Sequence, residues 1–121
     1  MNVMWTERLK TISNFHEAMS YIESKDDFHD YRLGNIEVHK NKNRNTITIM
    51  VEEDTGNKHN QNAHIWSFSF NNTSEEQFEM DCVIPAYISE IEIEDHLITF
   101  SLNNGYISFK ADEILLGIPK P

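Results

Sequence analysis

From Gly34 onward the apolar side chains recur mainly at every second residue, the period of a strand that buries one face and wets the other. In "NTITIMVEE", Ile47, Ile49 and Val51 alternate with Thr46, Thr48 and Glu52, and Ile36 and Val38 alternate in the same way ahead of the polar turn "NKNRN". In "AHIWSFSF", Trp66, Phe68 and Phe70 share one face and Ser67 and Ser69 the other, so an aromatic surface needs a cover. The runs "ISEIEIE", "LITFSL" and "YISFKA" are divided by Asp95-His96 and Asn103-Asn104-Gly105, which predicts a closing meander. Its second turn is expected to be type I′ at Asn104-Gly105, because both residues tolerate positive φ.

Ahead of Gly34 the spacing is different. Phe15, Ala18, Met19 and Ile22 fall at i, i+3, i+4 and i+7, with Asn14 and Glu17 spaced as a capping box, which predicts a helix with one buried face. Trp5, Leu9 and Ile12 continue that spacing backwards, so the helix is expected to start near Thr6 or to follow a short separate segment. Ser74 and Gln77 in "NNTSEEQF" form a second capping box and predict a short helical turn, while residues 54 to 62 read as a polar loop. Ile114, Leu115, Leu116 and Ile118 make the C-terminal segment too apolar to lie in water, so it is expected to dock on the domain or on a second copy in a homo-oligomer.

These elements predict an α+β fold: about six antiparallel strands in a curved sheet or partly open barrel, packed by one N-terminal amphipathic helix. A β-sandwich with a peripheral helix is the alternative. The 121 residues, 39% of them hydrophobic, suit one domain spanning residues 1–121.

Composition narrows the chemistry. Twenty acidic residues against ten basic give a net charge of −10, which repels phosphate backbones and anionic lipids and attracts basic proteins. Neither nucleic acid nor membrane is therefore an expected partner. No apolar run approaches the roughly 18 residues of a membrane span, and the first ten residues hold no signal-type apolar stretch. With Cys82 as the only cysteine, an intrachain disulfide is impossible and a cytoplasmic setting is expected. The Asn-x-Ser/Thr triplets at Asn71 and Asn72 then carry no glycosylation. Cys82 lies between Glu79, Asp81 and an apolar run, a setting that raises a thiol pKa and argues for a structural role.

The six histidines show no zinc-ligand spacing, and four scattered glycines cannot build a phosphate-cradling loop. No catalytic residue, metal site or cofactor is therefore expected. Two places remain as candidates. Glu90, Glu92 and Glu94 alternate with Ile91 and Ile93, either as a solvated outer face that discourages edge pairing or as an acidic docking stripe. Phe28, His29 and Asp30 precede the first strand. In an extended chain Phe28 and Asp30 point the same way, Gly34 permits a bulge that turns Leu33 and Ile36 inward, and Asp30 enters the sheet with Arg32 or backbone N–H groups of the turn as its donors. His29 stays nearer solvent or pairs with the loop. The triplet is expected to be a structural pin rather than a catalytic pair.

With that triplet and Leu33 at the head of a β meander, the chain resembles small bacterial proteins carrying an F-H-D-x-x-[IL] element, several of them grouped with the immunity proteins of polymorphic toxin systems. The resemblance implies a non-enzymatic protein that binds and blocks a partner, and an acidic surface suits a basic toxin. Two other readings stay open: a small-ligand or metal-dependent binding protein or enzyme with a site around His29, Asp30 and the His59–His64 loop, and a homo-oligomeric structural protein.

Overall fold

The computed structural model describes residues 8–42, 44–54, 63–80 and 86–119, with the backbone alone for residues 8–10. Helix α1 (Phe15–Ser24) begins where the capping residues place it: the Asn14 side chain accepts the Glu17 N–H at 3.0 Å and the Asn14 carbonyl accepts the Ala18 N–H at 2.8 Å. Ala18 and Ile22 are fully buried, with Phe15 and Met19 packed partly against the same core.

Nine strands among the described residues form two antiparallel sheets that do not close into a barrel. The first sheet runs β1 (Arg8–Ile12), β9 (Glu113–Pro119), β4 (Ile65–Asn71), β3 (Asn45–Glu52), β2 (Arg32–Lys40). The second runs β5 (Ser74–Met80), β8 (Gly105–Lys110), β7 (Leu97–Leu102), β6 (Ile88–Glu94). The α+β class and the partly open arrangement agree with the expectation from the sequence, and the strand count rises because three segments not counted as strands pair into the sheets.

The first is β1, expected either as the start of the helix or as a short separate segment before it, and found as the second of these. Its backbone groups pair with β9, and a bulge between Arg8 and Lys10 breaks the period of two that would have marked a strand. Trp5 lies outside the described residues. The second is β5, expected as a helical turn. The Glu76 carboxylate does reach back to a hydroxyl, but to Thr73 at 2.9 Å rather than Ser74, and Glu75 takes φ 53 in a bulge before Gln77–Met80 pair with β8. The third is β9. Its docking site is within the chain, between β1 and β4, where Ile114, Leu116 and Ile118 are buried and only Leu115 of the four aliphatic residues is exposed.

The aromatic face of β4 covers the second sheet. Phe68 and Phe70 meet Phe100 of β7 edge-on at 5.6 and 6.3 Å, and Phe70 meets Phe109 of β8 at 5.0 Å. The sheets are joined where β4 runs into β5 and β8 into β9. There the Asp112 N–H donates to the Asn71 carbonyl and the Asn72 amide to the Asp112 carboxylate, so one two-stranded ribbon bends from sheet to sheet. A second junction is the bridge between Arg32 and Tyr87, flanked by the Leu33 N–H donating to the Ala86 carbonyl at 2.9 Å.

Turn chemistry is divided differently from expectation. The positive-φ pair of the meander is Asp95 (50°) and His96 (71°), whereas Asn103 and Asn104 make their turn without positive φ. Gly105 sits just inside β8 at φ +146°, where a Cβ would lie 1.8 Å from the Glu79 carbonyl oxygen. Glycine is required there by the close approach of β5. Gly34 is the extra residue of the expected bulge in β2, and Leu33 and Ile36 on either side of it both pack against the core. Among the described residues no helix is long and apolar enough to cross a membrane.

Candidate functional site

Between α1 and β2 the chain makes a left-handed turn. Asp26, Asp27 and Phe28 take φ of 57°, 56° and 57°, a conformation that costs L-residues roughly 1–2 kcal/mol each. Burial of Phe28 opposes that cost: its ring is fully enclosed, 5.1 Å from Tyr31, 5.2 Å from Trp66 and 5.6 Å from Phe68. Trp66 donates its indole N–H to the Tyr21 hydroxyl at 2.8 Å, which fixes the wall of the Phe28 pocket.

His29 and Asp30 do not behave as an extended chain requires. Asp30 takes φ 69°, and its side chain is 82% exposed rather than held in the sheet. Arg32 does not serve it: that guanidinium lies 3.9 Å from Glu52 and 4.0 Å from Asp54. Asp30 contributes through its backbone, whose N–H donates to the Ile88 carbonyl at 2.8 Å. The His29 side chain is 55% exposed, as expected, but it also ties down β6, because Nδ1 lies 2.9 Å from the Ser89 carbonyl and must carry the proton there. That hydrogen bond raises the imidazole pKa above its ordinary 6.5, with the Asp30 and Asp26 charges adding to it and a slight desolvation opposing. The pin is thus Phe28 with the His29 ring and the Asp30 amide, and the exposed Asp30 carboxylate, 3.6 Å from His29 Nε2, adds only its charge to that ring.

Glu90, Glu92 and Glu94 are all exposed on β6, with Ile91 buried and Ile93 half-buried on the other face. The register extends each glutamate into a row across the second sheet. Glu90 leads to Ser101, Tyr106 and Glu79; Glu92 to Thr99, Ser108 and Gln77; Glu94 to Leu97, Lys110 and Ser74. Lys110 is the one cation in these rows, and its ammonium lies 3.2 Å from Glu75. Among the described residues none of the three β6 glutamates has an ion-pair partner. Carboxylates of one sign therefore border a polar, hydroxyl-rich face on both sides. Glu75 and Glu79 belong to it and were missed because β5 was expected to be helical; the alternation of Gln77 and Glu79 with Phe78 and Met80 was the available signal.

The remaining candidates are more scattered. His59 and Cys82 lie outside the described residues, and His64 is held by Glu53, whose carboxylate is 2.8 Å from Nδ1. Among the described residues no three His, Cys, Asp or Glu side chains are grouped to hold a metal ion. Two shallow depressions, of about 100 and 370 Å³, lie on the outer side of the first sheet around Leu115, and neither is lined by His29, Asp30 or the β6 glutamates. No protein-family model, curated protein or solved structure matches the chain.

Proposed function

We propose that the chain is a binding protein, without catalysis of its own, that engages a basic protein partner across the outer face of the second sheet. The observation that carries this reading is the row of Glu90, Glu92 and Glu94, exposed together on a strand and without an ion-pair partner among the described residues. Such charges cost little in the isolated chain, steer a cationic partner during encounter and gain when the partner's cations replace solvent. The resemblance carried by Phe28, His29, Asp30 and Leu33 supports a narrower form, an immunity protein that occludes a basic toxin.

The test takes the protein encoded beside this gene as the candidate partner and measures its affinity at low and high salt. Wild type is compared with a Glu90→Gln, Glu92→Gln, Glu94→Gln variant. The reading expects the variant to bind about tenfold more weakly at low salt, mostly through slower association, and to lose most of the salt dependence. Equal affinities for the two proteins, or wild-type binding indifferent to salt, would remove the β6 face from the interface.

A further inference from the structure

The second sheet ends on β5, and among the described residues no strand pairs with its outer edge. The other strand at the rim of this sheet, β6, is partly covered: the Asp30 N–H and the His29 ring bond to the carbonyls of Ile88 and Ser89. By contrast, β5 is exposed at six of its seven positions. Its inward side chains show the consequence. Phe78 and Met80 lie in register with Ile107 and Gly105, yet they remain 42% and 41% exposed because no described strand continues the sheet beyond them. An open strand edge with apolar side chains at alternate positions is a template for another strand.

Charge decides what that strand carries. Glu79 lies on the outer face of β5, whereas Glu75, in the bulge before it, is already ion-paired with Lys110 at 3.2 Å. A second copy pairing edge to edge would bring two Glu79 charges, neither ion-paired among the described residues, to one seam, which disfavours self-association. A cationic segment would be attracted by Glu79. We propose that β5 accepts an extended segment of a partner protein with alternating apolar and basic side chains. Its apolar residues cover Phe78 and Met80, its basic residues lie beside Glu79, and Gln77–Met80, beyond the bulge, set the register. This rests on the proposed function only for the sign of the partner's charge.

The experiment uses the whole chain and three synthetic eight-residue peptides: alternating valine and lysine, the same peptide N-methylated at alternate residues, and alternating valine and glutamate. Binding is measured by titration, and hydrogen exchange of the β5 amides is followed in parallel. The valine–lysine peptide is expected to bind and to slow exchange within Gln77–Met80. N-methylation along the pairing edge, which removes donors and leaves charge and apolar surface in place, is expected to weaken it at least about tenfold. Phe78→Lys with Met80→Lys should abolish binding, and the glutamate peptide should not bind. Strand addition is overturned if the methylated peptide binds equally well, if β5 exchange does not change, or if the valine–lysine peptide fails to bind at millimolar concentration. The Glu90→Gln, Glu92→Gln, Glu94→Gln protein separates the two proposals. Peptide binding that depends on those glutamates but not on N-methylation overturns strand addition and leaves the β6 face standing, and the opposite pattern upholds strand addition whatever the partner's affinity says of the β6 face.

Discussion

His29 and Asp30 are adjacent in sequence and opposite in role, and pH separates them. The folded-state pKa of His29 is raised, so the protonated ring is the stabilised form. Its contribution is complete below the unfolded pKa and is lost as pH rises through the folded value. The melting temperature of wild type should therefore exceed that of His29→Gln by more at about pH 5.5 than at about pH 8. A difference that grows with rising pH would contradict the assignment. Asp30→Asn, which preserves tolerance of the left-handed backbone, should change stability by less than about 0.5 kcal/mol because the carboxylate points to solvent. The stripe of Glu90, Glu92 and Glu94 was legible because Ile91 and Ile93 alternate with it. The placement of Asp30 was not, since nothing in the letters Asp-Asp-Phe-His-Asp announces four left-handed residues.

At the level of elements, what could be read followed from how much of the periodicity lay inside a single segment. Strands β3, β4, β7 and β8 alternate without a break, β2 and β6 alternate over several residues beyond a bulge near their start, and Asn14 with Glu17 marks the start of α1. The segments β1 and β5 carry bulges that leave only three or four residues of alternation, and in β9 the alternation of Ile114, Leu116 and Ile118 is masked by the exposed, equally apolar Leu115 between them. Glycines separate in the same way. A Cβ at Gly105 would meet the main chain of Glu79, which cannot turn aside, whereas a Cβ at Gly34 would meet the carboxylate end of Glu52 at 2.6 Å, and a side chain can rotate. Gly105→Ala should therefore destabilise by about 2 kcal/mol or more and open β5 to hydrogen exchange first, and Gly34→Ala should do less. Comparable losses in chemical denaturation would show that the β5–β8 approach is looser than the structure describes.

Across the whole molecule, stability converges on β9. Ile114, Leu116 and Ile118 are buried from this one strand, and truncating a core aliphatic residue typically costs about 2–5 kcal/mol. Three such losses are comparable with the roughly 5–15 kcal/mol that holds a domain together. Truncation after Asp112 should accordingly abolish the cooperative melt, seen by near-UV circular dichroism. A truncated chain that still melts cooperatively, with only its sedimentation coefficient reduced, would show that this strand serves an oligomer instead. The position of β9 also orders events in time. It is the last of the nine strands to leave the ribosome, yet it lies between β1 and β4, so the first sheet stays in two pieces while synthesis proceeds. Until it emerges, the aromatic face of β4 can already pack on Phe100 and Phe109, but the strand edge beside Phe68 and Phe70 has no mate, so the nascent chain carries an open ladder that β9 alone closes among the described strands.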